Sequence, residues 1–563
     1  MVWPGDMTIA VPGIAVSTYD MLAIRNALDV IYDHQYGDGS MPYAGPPMGA
    51  FGEFSDTYHL HTLVGTYYYV LYSGDLAWLK ERWAAYLRAL AISIGKVDEF
   101  NLLHVSSTSD WNRWGMTGHN VEASAILYDV LKNSIKLASW IGEKTTSTRG
   151  EKWSTTRERL QKGISTLYCP LDGMYSDNKG RRSCTGPEKV LPQDGNSWVL
   201  MSQAFASRDH AYNVSSSLRK RWIKYGAPAV EFPNVMSPFA SSFELLGHIA
   251  AGNPDAAVEL MELMWGYMLD GPGMTNSTTI EGYRVDGYIH YPAYWADARN
   301  SHAHGWSSGP TAALMQGILG IELTSPLGAT WKIEPQLTKW LSYATGGFAT
   351  RLGKFEVAIS LMRSVSTGRK AEMIDIAVPY DTNGIILWGG EAIFVTNMHT
   401  SMIGARHRFW RYLDDEGAMG TGGRESDHVN IWTADLEGEL VRDEQFVKPE
   451  VEERPEGVVD WELLEEGYLL AQRRFMGPTL PPNAHPGGRN AEEDLRLHME
   501  LLEQHQGERD KVEIKKGGAL EQYRKQLKQL EEMNKLQIEI SQQEQDFMIG
   551  GRAREELKRR ETT

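Results

Sequence analysis

Between residues 17 and 319, apolar residues recur at helical spacing in segment after segment, and the connections between those segments alternate in length. "STYDMLAIRNALDVIYDHQ" opens with Ser17 and Thr18 as candidate caps. "SDTYHLHTLVGTYYYVLYSG" ends at Gly74, a residue suited to the left-handed turn after a helix, and "DLAWLKERWAAYLRALAISIGKV" follows almost directly. Further helical patterns fall at 117–142, 149–168, 195–208, 209–225, 238–251, 254–269 and 307–319. Short links alternate with long Gly/Pro/aromatic ones such as "YGDGSMPYAGPPMGAFGEF" and "GYRVDGYIHYPAYWADARNSHAHGW". This alternation suits helical hairpins wound into a toroid, with the long loops meeting on one face to build a site. An open solenoid would show a fixed repeat period, and none is visible.

From about Ala329 the apolar period falls to two. "TWKIEPQL", "GGFATRLGKFEVAISLM", "EMIDIAVPY" and "GIILWGG" read as strands of a small β-sandwich ending near Met398. Beyond it the composition changes. Residues 401–563 hold 24 of the 56 Lys+Arg and 35 of the 73 Asp+Glu, so about 36% of this tail is charged against about 18% of what precedes it. Three regions are therefore expected: a helical domain over 1–325, a β domain over 326–400, and a charged, largely disordered tail over 401–563. In the tail, Leu520, Tyr523, Leu527 and Leu530 stand at coiled-coil spacing. Asn534 and Gln537 then break the pattern, which favours a solvated charged helix.

The net charge of −17 argues against a nucleic-acid binder, which needs a positive field. No apolar run approaches the roughly 18–20 residues that span a bilayer, and the N-terminus has no secretion-signal pattern. The two cysteines, Cys169 and Cys184, form either one disulfide or two free thiols.

The long loops carry the chemistry. They hold Asp6 in "VWPGD", Asp56 and His59 in "EFSDTYH", and Asp110, Trp111 and Trp114 in "STSDWNRWG". Further on come Asp194 and Asn196 in "PQDGNSW", Glu244 in "SPFASSFE", Glu281 in "NSTTIEGYRVDG", and His302, His304 and Trp306 in "SHAHGWSSGP". Carboxylates interleaved with aromatic rings suit a sugar pocket, where apolar sugar faces stack on rings and polar groups bind hydroxyls. Taken singly, each has a plainer use. Asp56 reads as a helix start beside Ser55, Glu244 as a buried paired carboxylate, and His302 with His304 lacks a third metal ligand.

In nearly the same order and spacing from Val2 to about Ser360, the blocks "VWPGD", "GDGSMPYAGPP", "DWNRWG", "PQDGNSW", "STTIEGY", "SHAHGWSSGPT" and "GGFATRLGKFE" resemble the fungal branch of glycoside hydrolase family 78, the α-L-rhamnosidases. The resemblance implies an (α/α)6 six-hairpin barrel followed by a β-sandwich. It also implies inverting removal of terminal L-rhamnose from glycosides or polysaccharides, with no cofactor; the lack of a third ligand beside His302 and His304 argues against a metal. It assigns Glu281 as the base that activates water. Asp6, with Trp3 of the same block, is assigned to rhamnose binding, as are Asp110, Trp111 and His304, and Trp306 to the pocket wall. Inversion sets two carboxyl groups about 6.5–9.5 Å apart, with the water between one of them and the sugar.

In that family the general acid lies a few residues before the W-x-G-D block, which here would precede Met1. The reading is therefore a catalytic domain truncated at its N-terminus, with an unrelated tail and weak or absent activity. The competing readings are a catalytically inactive carbohydrate-binding protein, another (α/α)6 exo-glycosidase, or a polysaccharide lyase. The lyase is disfavoured by the absence of a Lys/Arg cluster for a uronate. The family expectation for localisation is extracellular, and Asn213 in "NVS" and Asn276 in "NST" match the glycosylation pattern. A chain without a signal would stay cytoplasmic. The expected partner is a rhamnose-containing substrate, with no nucleic acid and no membrane.

Overall fold

The structure, a computed structural model, describes residues 2–46, 54–107, 110–113, 115–294, 296–365, 367–396, 405–413, 430–431, 440–442 and 454. The chain divides into two compact units, Met1–Ile289 with Ser301–Val459, and His290–Asn300 with Asp460–Thr563. Of the second, the described part is 290–294 and 296–300, where Asp297–Arg299 forms a 3-10 turn. The heptad-like segment and Trp114 lie outside the described residues.

Among the described residues of the first unit, twelve α-helices run from Met7 to Ala313: α1 Met7–Ser17, α2 Met21–Asp33, α3 Asp56–Ser73, α4 Leu76–Gly95, α5 Val121–Trp140, α6 Trp153–Ser165, α7 Gln193–Ser202, α8 Arg208–Arg219, α9 Pro238–Ala250, α10 Pro254–Leu260, α11 Gly266–Asp270 and α12 Gly309–Ala313. Contacts run from α1 to α3, then α5, α7, α9 and α12, and from α12 back to α1. The members of this series are buried nearly all round. In α3 only Tyr68 escapes full burial, and eight of the eleven residues of α1 are buried. The alternating helices α2, α4, α6 and α8 bury one face only. A helix enclosed on every side has no polar stripe to display, which separates the two classes already in the sequence.

Local signals fix most helix ends. The Ser55 hydroxyl accepts the Tyr58 N–H at 3.2 Å, and Gly74 closes α3 with φ +68°. Ser17 and Thr18 do not cap α2: Asp20 does, accepting the Ala23 N–H at 3.1 Å, while Ser17 is the last residue of α1. Cys169 and Cys184 form a disulfide with S–S 2.05 Å.

A short antiparallel pair, β1 Val235–Met236 with β2 Tyr283–Arg284, precedes the β region and holds the chain just after Glu281. Two sheets follow. One joins β3 Ile321–Leu323, β4 Thr330–Ile333, β8 Asn383–Trp388 and β9 Glu391–Thr396, with β4 and β8 parallel. The other is antiparallel, β5 Tyr343–Thr350, β6 Gly353–Ser364, β7 Lys370–Val378 and β10 Ala405–Tyr412. Pairing thus continues past residue 400. Arg408 and Arg411 of β10 reach across to Asp375 and Glu372 of β7 at 2.6 Å each. Arg454 likewise meets Glu259 at 2.5 Å.

Candidate active site

Three stretches converge at one end of the helices: Trp3–Asp6, 279–283 and 301–307. Pro4–Asp6 forms one 3-10 turn leading straight into α1. Gly5 is needed there, because a Cβ would lie 2.3 Å from the Tyr58 ring. Asp6 occupies the N-cap position of α1 but makes no capping bond with its side chain. Its carboxylate instead sits 3.0 Å from Nε2 of His304.

Glu281 is 3% exposed. Its N–H donates to the Ser301 carbonyl at 2.8 Å, and its carboxylate accepts the Ser301 N–H at 2.9 Å. The Trp306 indole donates to its carbonyl at 2.9 Å, and the His304 N–H to that of Thr279 at 3.0 Å. These bonds stitch 279–281 to 301–306 and leave the His304 ring between two carboxylates. Its Nδ1 stands 3.7 Å from Glu281 Oε2, too far for a hydrogen bond but close enough for strong electrostatic coupling. The Trp306 ring lies 4.4 Å from His304 and stacks on Phe239 at 5.0 Å.

Burial disfavours the charged form of His304, yet the Asp6 hydrogen bond and charge, backed by Glu281, hold its pKa above the ordinary histidine value. The stabilisation from this charged ring is fully present below the unfolded pKa, near 6.5, and is lost as pH rises through the raised folded value. Asp6→Asn is therefore expected to lower the pH at which the His304 ring titrates by NMR. An unchanged midpoint would show that Asp6 does not set it.

The second group of sequence-predicted residues lies beside the first. Trp3 packs edge-on to Tyr43 at 5.3 Å and Tyr58 at 6.4 Å. The Tyr43 hydroxyl donates to the Asp110 carbonyl at 2.8 Å, and the Thr57 hydroxyl to the Asp110 carboxylate at 2.7 Å. Trp111 is fully buried, 6.3 Å from Phe239, with its indole N–H donated to Asp194 at 3.0 Å. The plainer readings fit other loop residues. Asp56 pairs with Lys96, and Glu244 accepts from Gln193 and Trp222 at 2.6 Å each.

Composition and motif reading did not single out Arg113. It is fully buried, and its guanidinium donates to both oxygens of Asp194 at 2.9 and 3.1 Å, to Asp177 at 2.5 Å and to Glu122 at 3.3 Å. Burial and the charges of Asp110 and Asp194 push Glu122 well above the carboxylate range. Burial and Asp194 push Glu231 up to about 8. The one available signal was the number of acidic residues in the surrounding motifs, since buried carboxylates require a cation or a proton. Oxygens of Asp110, Glu122 and Asp194 lie within 4.8 Å of one another, a spacing that a metal could bridge. The guanidinium already supplies the positive charge between two of them.

Residues 1–222 match the family model of the bacterial alpha-L-rhamnosidase six-hairpin glycosidase domain. Similar solved structures include the family 78 rhamnosidase of Bacillus sp. GL1, at 18% identity and TM-score 0.53 over 71% of this chain and 40% of that one. The Streptomyces avermitilis α-L-rhamnosidase complexed with L-rhamnose gives 16%, 0.53, 72% and 38%. The α-L-rhamnosidase of Aspergillus terreus gives 16%, 0.53, 72% and 45%. At these identities the likeness is one of fold, and the chain spans under half the length of each. No curated protein matches the chain.

Proposed function

We propose that this chain, whose residues 1–222 carry a glycosidase domain of α-L-rhamnosidase type, hydrolyses terminal α-L-rhamnosyl residues with inversion. The observation that carries the reading is the His304 imidazole set between Asp6 and Glu281. In this account the helix series α1, α3, α5, α7, α9 and α12 is the inner ring of an (α/α)6 toroid, and the two sheets form a sandwich. Glu281 takes a proton from water as the water oxygen bonds to the anomeric carbon and the bond to the aglycone oxygen breaks, its electron pair leaving on that oxygen, as p-nitrophenolate does without a proton, while Asp6 and His304 bind sugar hydroxyls. Trp306 and Trp3 supply ring surface for the apolar sugar face, and Asp110 with Trp111, both buried, back that wall from behind. The catalytic domain spans 1–325, and the β domain opens at 326 and runs on through β10 before the charged tail.

The partner is a rhamnose-containing glycoside. The Cys169–Cys184 disulfide favours an oxidising, extracellular setting, and no helix among the described residues is long and apolar enough to cross a membrane.

The test is proton NMR during hydrolysis of p-nitrophenyl α-L-rhamnoside, whose aglycone departs without a proton and so isolates the work of the base. β-L-Rhamnose is expected to appear first and then mutarotate. The α-anomer appearing first, or no hydrolysis at all, would overturn the reading.

A further inference from the structure

Trp111 and Arg113 are two residues apart, and the residue between them, Asn112, has φ +74°. That left-handed turn, which Asn tolerates better than most residues, brings both side chains onto one carboxylate. Asp194 Oδ2 accepts the Trp111 indole N–H at 3.0 Å and an Arg113 N–H at 2.9 Å, while Oδ1 accepts a second contact from Arg113 at 3.1 Å. Asp194 is itself fixed. It is the second residue of α7, its Oδ1 accepts the Gly195 N–H at 2.5 Å, and its own N–H is held by Glu231 at 2.9 Å.

From these contacts we infer that Arg113 is a positioning residue for the Asp110–Trp111 wall, acting through Asp194. The inference rests on the reading of that wall as part of a rhamnose subsite. Trp111 meets Phe239, Phe239 stacks on Trp306, and Trp306 touches His304, so the placement of one indole is passed by ring contact to the centre of the site. The guanidinium suits the task because its donors point in fixed directions and serve Asp194, Asp177 and Glu122 at once. A lysine ammonium keeps the charge but has no planar fork, so it cannot hold these three carboxylates in the same places. Full burial leaves the array unscreened by solvent, and any misplacement is felt directly at the indole.

The experiment is a double-mutant cycle with Arg113→Lys and Trp111→Phe, made in the full chain. It is read by calorimetric titration of L-rhamnose and by KM and kcat on p-nitrophenyl α-L-rhamnoside. With folding verified by circular dichroism, Arg113→Lys is expected to weaken rhamnose binding roughly ten- to hundred-fold. KM should rise more than kcat falls, because Glu281 is untouched. In the Trp111→Phe background the same change should cost little more, since the group it positions has gone. Wild-type affinity in Arg113→Lys, or losses that multiply in the double variant, would overturn the inference while leaving the functional reading standing. A wild-type chain that binds no rhamnose would overturn that reading, and the inference with it. If Arg113→Lys does not fold, Asp194→Asn interrupts the same relay from its other end, with the same expected shift and the same contrary results.

Discussion

Replacing Glu281 with Gln is expected to slow hydrolysis of p-nitrophenyl α-L-rhamnoside by about 10²–10⁴-fold, the usual worth of a positioned general base. The amide oxygen can still accept the Ser301 N–H that the carboxylate accepts at 2.9 Å, and the backbone bonds from Ser301 and Trp306 do not involve the side chain. The segment should therefore keep its shape, and the melting temperature should change little. What disappears is the ability to take a proton, together with one of the two charges facing His304 at 3.0 and 3.7 Å. The loss should fall on kcat, with L-rhamnose affinity held within a few-fold. A variant retaining more than about a tenth of the wild-type rate would remove Glu281 from the base role.

Arg113→Met gives the second large effect, on stability. Removing one partner from a buried ionic group typically costs about 3–5 kcal/mol, because the remaining charge stays desolvated and unpaired. Here Asp177, Asp194 and Glu122 lose the same guanidinium together. The sign of the pH dependence follows. Acids whose folded pKa is raised bind more protons folded than unfolded, so stability falls as pH rises between the two values. In the parent chain, Glu231 contributes in this direction from its unfolded value near 4.3 up to about 8. Glu122 and Asp194 are raised in the same direction, and without the Arg113 charge that holds all three down they should rise further, so the deficit should shrink as pH is lowered toward 5. Thermal melts of both proteins across pH 5–8 measure this. A constant difference would mean that Arg113 matters through packing alone.

The helices were legible where local chemistry and burial agree. Ser55, the long apolar run to Ser73 and Gly74 define α3 without any tertiary knowledge. α1 was not legible, because Pro12 and Gly13 lie inside it and read as a turn. Enclosure on all sides maintains that helix against its own breakers, and Asp6 stands at its N-cap. Motif blocks far apart in sequence named Asp6, Glu281 and His304, and the fold brings these three into contact.

Arg113 escaped notice for a physical reason. A charge count treats every Lys and Arg as surface, whereas one buried guanidinium can be required by carboxylates up to 81 residues away in sequence. The indole of Trp111 also reads as free ring surface until its N–H is seen committed to Asp194. The change in composition near residue 400 did not mark the end of strand pairing, because β10 meets β7 through cross-strand ion pairs that count as charge rather than as core.

The most direct measurement is a crystal structure of Glu281→Gln soaked with L-rhamnose. The account predicts one sugar with hydroxyls on the Asp6 carboxylate and the His304 ring, its apolar face on Trp306, and its anomeric carbon facing residue 281. Rhamnose bound elsewhere, or in this place without contact to Asp6 and His304, would contradict it.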